Sequence, residues 1–182
     1  MTFRIVLHNV RSVYNVGSIF RTADAVGAEK IFLCGITPEP YDRLGNMRKD
    51  FAKVALGGEK YLSWEHIKST ARTINVLKKE GWLIFAIEQS KKSVPYYKSI
   101  SSVKDRNKDQ RKLALILGDE VRGLPPSILK LADKVLEIPM SGAMVRDAAH
   151  PKRSGKGKES LNVAISFGIV AFGLRYLADT DE

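Results

Sequence analysis

Cysteine, histidine and long apolar runs are scarce in this sequence of 182 residues. The single cysteine, Cys34, excludes an internal disulfide framework and favours a reducing compartment, where we expect it to be a small buried residue. The three histidines are far apart and lack partners at ligand spacing, so no metal site is predicted. No stretch approaches the roughly 18 apolar residues of a membrane-spanning helix, and the charged N-terminal segment is unlike a signal peptide. These absences predict a cytoplasmic protein without a membrane or a metal as partner.

Glycine motifs for phosphate binding are also missing. Gly17 and Gly27 are ten residues apart, which does not fit the G-x-G-x-x-G fingerprint of dinucleotide-binding folds. No G-x-x-x-x-G-K-[ST] sequence occurs, which excludes an NTPase of the P-loop class. No histidine is placed near Ser160 by the sequence pattern, so a Ser-His-acid hydrolase is unsupported.

Basic residues are in excess, with 30 Lys and Arg against 20 Asp and Glu and a formal net charge of +10. Residues 91–112 contain eight basic and two acidic residues, and residues 146–158 are also strongly basic. Either stretch alone is typical of a solvated loop. Two of them in so basic a chain favour a polyanionic partner, with RNA or DNA ahead of a membrane surface.

Continuous apolar runs alternate with helical patterns, which predicts an α/β fold whose parallel sheet is flanked by helices on both faces. The predicted strands are 3–7, 30–36, 82–88, 112–118 and 134–140. The predicted helices are 16–26, 65–80, 125–133 and 160–179, and a polar helical pattern covers 42–56. Asn15 is the expected N-cap of the first helix and Gly27 its stop. No linker divides the chain, so 1–182 is predicted to be one domain.

The last predicted helix is apolar almost all round, so one partner face within the chain cannot cover it. Its apolar residues Val163, Ile165, Phe167, Ile169, Val170 and Phe172 are distributed around the circumference, so we expect a homodimer to cover part of them.

Ligands of parallel α/β sheets bind at the carboxyl ends of the strands, which here follow Leu7, Ile87, Leu117 and Ile138. Gly118 and Gly123 permit a tight turn and a close approach of the backbone to a ligand. In the same turn, Asp119 or Glu120 is able to accept a hydrogen bond from a hydroxyl or an amine. A routine strand-to-helix turn with solvated acids is the alternative.

Three segments together resemble a known family. They are "NVGSIFRTADA" (15–25), "LILGDEVRGLP" (115–125), and "IPM" (138–140) followed by "SLNVAISFGI" (160–169). In this order they resemble the three motifs of the SpoU/TrmH RNA 2′-O-ribose methyltransferases of the SPOUT superfamily. The resemblance implies a C-terminal deep trefoil knot, S-adenosylmethionine bound within it, a homodimer and no metal. The implied reaction transfers a methyl group to a ribose 2′-hydroxyl of a structured RNA.

The resemblance also assigns residues. It implies catalytic roles for Asn15, Arg21, Glu120, Ser160 and Asn162. The cofactor pocket, with the strand-end residues included, is predicted to contain Ile87, Leu117, Gly118, Glu120, Gly123, Ile138, Met140 and Leu161. Predicted RNA contacts are Arg11, Arg21, Lys152 and Arg153. Arginine is almost always protonated, so we expect Arg21 to act electrostatically on the target hydroxyl and its phosphate; a buried salt bridge with Glu120 is the alternative.

Two features depart from the family pattern. Asp119 stands where a neutral residue is more common, which adds negative charge beside the pocket. A basic insertion loop, 141–159, separates Met140 from Ser160, either as an RNA-gripping loop or as a tolerated surface insertion. Without the extra N-terminal RNA-binding domain of some larger relatives, a tRNA is favoured over an rRNA site. An inactive RNA-binding or assembly factor of the same fold is the alternative function.

Overall fold

The computed structural model describes residues 1–99, 112–140 and 160–179. Within them, seven strands form one sheet in the order β3-β2-β1-β6-β4-β7-β5, and every neighbouring pair is parallel. The strands are β1 Thr2–His8, β2 Ala28–Cys34, β3 Ser63–Ile67, β4 Leu83–Ile87, β5 Val94–Pro95, β6 Lys112–Leu117 and β7 Lys134–Glu137. The predicted parallel sheet is confirmed, with β1 and β6 at its centre.

Helices cover both faces of the sheet. They are α1 Val13–Ala25, α2 Lys49–Ala55, α3 Gly58–Tyr61, α4 Thr70–Lys79, α5 Pro126–Leu129 and α6 Val163–Asp179, with a 3₁₀ turn at Tyr96–Lys98. The sheet has one hydrophobic core on each face. Alternate side chains of β1 pack in different cores, because successive side chains of a strand point to opposite faces. Ile5 and Leu7 pack with α1, α2 and α6, whereas Val6 packs with α4 and α5. Both faces are therefore buried, as the continuous apolar runs predicted.

The predicted helix 65–80 is wrong in its first part. Residues Ser63–Ile67 form the edge strand β3, which pairs with β2 from Lys30 to Cys34. The helix α4 begins only at Thr70, after Ser69 caps it by accepting a hydrogen bond from the Arg72 amide at 3.3 Å. Pairing with a neighbouring strand outweighs the helical spacing of this segment, because local propensity is a weak determinant. Within 42–56, only Lys49–Ala55 is helical.

The first helix begins earlier than predicted. Ser12, not Asn15, is its N-cap, and the Ser12 hydroxyl accepts from the Asn15 amide at 3.3 Å. The Asn15 side chain is therefore not used for capping and is available for tertiary contacts. The helix ends at Ala25, two residues before Gly27, as expected.

One side of α6 packs against the sheet and α1 through Phe167, Val170, Ala171 and Leu174. The Arg175 guanidinium donates to the carbonyls of Met1 (2.8 Å) and Val26 (2.9 Å), which fixes the helix end beside the end of α1. The opposite side of α6 exposes four large apolar side chains, Ile165, Ile169, Phe172 and Tyr176. Across the described ranges, no helix is both long and apolar enough to cross a membrane.

Candidate active site

The Glu120 carboxylate is the centre of a hydrogen-bond network at the carboxyl ends of β1 and β6. It accepts from the amides of Arg11 and Ser12 at 3.0 Å each and from Asn15 Nδ2 at 2.9 Å. Partial burial acts to raise the pKa of Glu120, but the donors from Arg11, Asn15 and Ser12 outweigh it and lower the pKa. The group is therefore a carboxylate at neutral pH, suited to holding the loop of the first motif rather than to accepting a proton.

Asn162 joins the third motif to this network. Its Nδ2 donates to Asn15 Oδ1 at 3.0 Å, while its Oδ1 accepts from the Ala164 amide at 2.9 Å at the start of α6. Asn15 thus lies between Glu120 and Asn162, with its amide group fixed from both ends. The structure brings together one polar residue from each of the three motifs, although they are far apart in the sequence.

Arg11 and Asp119 form a second link between the same two loops. Arg11 Nε lies 2.7 Å from Asp119 Oδ2, and the Asp119 side chain is 5% exposed against 52% for Arg11. The other Asp119 oxygen accepts from the amides of Val121 and Arg122. Burial alone would raise the pKa of Asp119, but the two amides and Arg11 lower it. The ion pair occupies Arg11 Nε, so a phosphate contact by the exposed remainder of this side chain stays a prediction.

Arg21 does not join the network. Its side chain is exposed on α1, seven residues after Tyr14, which at 100° per residue places both on the side away from the core. No ion pair connects Arg21 to Glu120 in the part of the chain that the structure describes. The alternative of a buried salt bridge between them is therefore wrong.

A cleft beside the network lies over the carboxyl ends of β6, β4 and β7. All predicted cofactor residues line it: Ile87, Leu117, Gly118, Glu120, Gly123, Ile138, Met140 and Leu161. Ser160 also lines the cleft but makes no described contact with Asn15 or Glu120. Lys152 and Arg153 lie outside the described residues, as does the rest of 141–159, and of the basic stretch 91–112 only 91–99 and Lys112 are described.

Two glycines shape one wall of this cleft. A Cβ atom on Gly118 would lie 2.5 Å from the Gly123 carbonyl carbon, so the turn closes only without a side chain. Gly123 has a φ of +64°, and a Cβ atom there would collide with the Glu88 carboxylate. The predicted tight turn at 118–123 is confirmed.

Several residues of the cleft were not predicted. Glu88 Oε2 accepts from the Leu124 amide at 2.8 Å and so ties the end of β4 to the second-motif loop. Ser166 lies four residues after Asn162, a helical spacing that places both near the same face of α6. Four carboxylates line the cleft, those of Glu88, Asp119, Glu120 and Glu137, together with the basic side chain of Arg122. In the described ranges, no group of acidic, cysteine or histidine residues has the arrangement of a metal site.

His8 and Asn9, at the end of β1, were given no role from the sequence. Asn9 Nδ2 contacts His8 Nε2 at 3.1 Å, and His8 Nδ1 contacts the Thr70 hydroxyl at 2.7 Å. Burial lowers the pKa of His8, although the nearby Asp119 charge acts in the opposite direction. A neutral imidazole fits these contacts, because Nε2 then accepts from the Asn9 amide. Asn9 has a φ of +55°, which is in the left-handed region. Asn adopts this region more readily than most residues, and this preference is the only feature of the sequence that indicated the position.

Comparison with known proteins identifies the family. The sequence profile described as the SpoU rRNA Methylase family matches residues 2–145, which is most of the chain. The chain belongs to this family. It is 28% identical over 165 residues to a tRNA (guanosine(18)-2′-O)-methyltransferase of Aquifex aeolicus, covering 90% of this chain and 64% of that protein. It is 26% identical over 171 residues to a 23S rRNA (guanosine-2′-O-)-methyltransferase of Escherichia coli, covering 93% and 58%.

Solved structures of RNA methyltransferases share the fold. A Sinorhizobium meliloti rRNA methyltransferase with bound AdoMet superposes with a TM-score of 0.71 at 26% identity, covering 96% of this chain and 56% of that one. The chain spans less than two thirds of the length of each of these relatives.

Proposed function

We propose that this SpoU-family protein transfers a methyl group from S-adenosylmethionine to a ribose 2′-hydroxyl of a structured RNA. The observation that carries the proposal is the hydrogen-bonded series Glu120–Asn15–Asn162, which joins all three motifs beside a cleft. Relatives with 26–28% identity are named as tRNA and rRNA guanosine 2′-O-methyltransferases. This combination of site and family supports the reaction class.

The chemistry of the cleft fits S-adenosylmethionine. Apolar side chains of Ile87, Leu117, Ile138, Met140 and Leu161 suit the adenine ring, while the closely packed turn 118–123 offers backbone groups. The carboxylates can accept hydrogen bonds from ribose hydroxyls and from an ammonium group, and their negative charge attracts a sulfonium. The cofactor supplies a methyl group that the sulfonium already activates, and no metal is required.

Catalysis by this chain is then mainly a matter of position. Glu120 holds the Arg11–Ser12 backbone and the Asn15 amide, and Asn162 fixes Asn15 from the other side. In our proposal Asn15 and Asn162 orient the target ribose, with Ser160 beside them at the cleft. Holding two reactants in a productive geometry supplies much of the acceleration of an in-line displacement.

Arg21 has an electrostatic role in this proposal. A guanidinium beside the target phosphate favours the developing alkoxide and lowers the pKa of the hydroxyl, without itself accepting a proton. The hydroxyl proton would pass to water as the ribose oxygen takes the methyl group, and S-adenosylhomocysteine would be the leaving group. Its exposure supports contact with RNA rather than a structural role. Arg11, Lys152 and Arg153 are proposed as further phosphate contacts, and 141–159 as the loop that grips the RNA.

The proposal extends to assembly and substrate. The exposed apolar side of α6 supports a homodimer, because Ile165, Ile169, Phe172 and Tyr176 lie at the i, i+4, i+7, i+11 spacing of one helix face. We further propose one domain across 1–182, a trefoil knot around the second and third motifs, a location in the cytoplasm, and tRNA in preference to rRNA as substrate.

The test uses purified protein, total cellular RNA and S-adenosylmethionine with a labelled methyl group. We expect label in RNA that nuclease digestion and mass spectrometry assign to one 2′-O-methyl nucleoside, with activity that survives a strong chelator. Label on a base would overturn the assignment to ribose. Binding of both RNA and cofactor without turnover would instead identify the inactive RNA-binding factor.

A further inference from the structure

A short hairpin after β2 has no role in the mechanism proposed above. We call residues 36–48 the β2 hairpin. Tyr41 pairs with Met47 in an antiparallel bridge, and the Asp42 amide donates to the Asn46 carbonyl at 2.9 Å. The Arg48 amide donates to the Pro40 carbonyl at 3.0 Å, which closes the base. The segment is therefore a built hairpin rather than an irregular connection.

The tip of the β2 hairpin holds a leucine in solvent. Asp42 Oδ1 accepts from the amides of Leu44 and Asn46 at 2.9 Å each, so the turn is fixed by the side chain of its first residue. Leu44 is 86% exposed. Behind the tip, the Tyr41 ring stacks on Trp64 with 6.2 Å between ring centroids, and Met47 packs against the core. The tip thus presents one apolar side chain on a preorganised support, while the other exposed apolar residues of the hairpin, Ile36 and Tyr41, lie at its root and against Trp64.

The root of the β2 hairpin adjoins the candidate active site. The buried Thr37 hydroxyl lies 3.1 Å from the Leu7 carbonyl and 2.8 Å from the Cys34 carbonyl. Asn9 Oδ1 accepts from the Ile36 amide at 3.1 Å. Leu7 and Asn9 immediately precede the loop that Glu120 holds. In the strand order β2-β1-β6-β4, the hairpin and the cleft lie on opposite sides of the Asn15 network.

Arg43 directly precedes the exposed leucine, and Lys49 begins α2 just after the hairpin. The Asp42 carboxylate is used by backbone amides, and Arg48 is paired with Asp50 at 3.5 Å. Arg43 and Lys49 are exposed, and neither forms an ion pair within the described ranges. At the tip itself the apolar surface is one side chain beside Arg43, too small a patch for a stable protein interface. An apolar side chain next to a cation suits one unstacked base next to a phosphate, because the base offers an apolar face and the phosphate a negative charge.

We infer that Leu44 packs against an unpaired base next to the target nucleotide, while Arg43 contacts a neighbouring phosphate. This inference rests on the proposed function, because it assumes that RNA reaches the Asn15 network. Leucine has no group for hydrogen bonding to base edges, so the contact selects unpaired structure rather than sequence. Single-stranded loops offer such bases, whereas a paired A-form helix keeps its bases stacked. The substrate class becomes a ribose in or beside an RNA loop.

The experiment compares two fluorescent RNA probes, a stem-loop and a fully paired duplex with the same number of phosphates. Binding is measured by anisotropy at several salt concentrations for the wild type, Leu44→Ala, Arg43→Ala and a control, Val76→Ala. Val76 is exposed on α4, on the other face of the sheet. Methyl transfer to total RNA is measured in parallel.

We expect the wild type to prefer the stem-loop, and Leu44→Ala to reduce this preference about 5-fold or more while keeping the salt dependence. Arg43→Ala should weaken binding to both probes and reduce the slope of log affinity against log salt concentration by about one. Val76→Ala should change neither the affinity nor the slope. If the wild type methylates RNA but Leu44→Ala retains the full preference, the inference is overturned and the proposed function stands. A change of oligomeric state in Leu44→Ala, without an effect on RNA, overturns it also. If the wild type neither binds nor methylates RNA, the proposed function fails, and the inference fails with it.

Discussion

Arg11 and Asp119 join the loop after β1 to the loop after β6 through an ion pair of 2.7 Å. The Arg11 amide also donates to Glu120, so one residue contacts two successive carboxylates of the opposite loop. The lowered pKa of Asp119 and of Glu120 makes this junction sensitive to acid. A carboxylate with a depressed pKa stabilises the folded state above its ordinary pKa, and this contribution is lost as the pH falls through the folded-state value.

We predict that stability declines below about pH 4.5, the ordinary pKa of Glu120, and continues to decline below 3.8, that of Asp119. Asp119→Asn keeps an oxygen for the two amides but removes the charge, so its thermal midpoint should be lower at neutral pH and less dependent on acid. Thermal unfolding between pH 7 and pH 3 measures this. Asp24→Asn, at an exposed position of α1, is the control. An equally steep acid dependence in Asp119→Asn would contradict the assignment.

The Asn15 side-chain amide is predicted to be essential for turnover and dispensable for binding of the cofactor. Asn15→Ala removes the link between Glu120 and Asn162, so methyl transfer should fall roughly 100-fold, the scale for loss of one preorganised polar group. Cofactor affinity by calorimetry should change little, because Asn15 does not line the cleft. A parallel loss of cofactor binding would show that Asn15 supports the pocket instead.

Asn15→Asp provides a second measurement at the same position. It places a carboxylate within hydrogen-bond distance of Glu120, and like charges raise the pKa of the pair. The variant should therefore be less stable than the wild type at neutral pH, and the difference should shrink as acid protonates one carboxyl. A difference that does not vary with pH would argue against direct contact between the two groups.

Arg21 is predicted to act in methyl transfer and not in folding. Arg21→Ala should reduce turnover by roughly 100-fold or more, because a charge-assisted contact made in the transition state is lost. Cofactor affinity and the thermal midpoint should be nearly unchanged, since the side chain is exposed. Arg21→Lys should restore little activity if the planar fork of arginine matters. Arg72→Ala, exposed on α4, is the control, and nearly full activity of Arg21→Lys would show that charge alone suffices.

The turn at 118–123 is predicted to tolerate no side chain at its first position. Gly118→Ala would place a Cβ atom against the Gly123–Leu124 backbone, so the loop must shift and the cofactor affinity should fall at least about 10-fold. Gly168→Ala is a matched control, because its Cβ atom would meet only Thr22 Cγ2 at 3.7 Å. Alanine in the interior of a helix should there be neutral or stabilising by about 0.5–1 kcal/mol. Unchanged cofactor affinity in Gly118→Ala would place the binding site elsewhere.

The proposed homodimer is tested at the exposed side of α6. Ile169→Glu places a charge in the middle of this apolar face and should give a monomer by sedimentation at micromolar concentration. Val76→Glu, on α4, should leave the mass measured by sedimentation, and so the oligomeric state, unchanged. A wild type that already sediments as a monomer would refute the dimer.

The sequence predicted the central strands because β1, β4 and β6 are buried on both faces and therefore read as continuous apolar runs. It failed at β3, since this edge strand is largely exposed and has no clear two-residue alternation. The cleft residues were predicted from strand ends and family motifs. The Arg11–Asp119 pair was not, because the sequence pattern places the two loops at one edge of the sheet but does not indicate which side chains pair across them. The N-cap was assigned to Asn15 instead of Ser12 because both residue types cap helices, so the hydrogen bonds of the Asn15 side chain to Glu120 and Asn162 were not predicted.

The hydrogen bond between Asn15 and Asn162 spans 147 positions of the chain. Contacts of such long sequence separation form late, because the entropy of closing a long loop must be lost before the contact contributes. During synthesis, β1 and α1 leave the ribosome long before α6 does. A nascent chain can therefore build much of the sheet while Asn15 is still held from one side only. The order of synthesis itself delays the proposed activity until the last helix has docked.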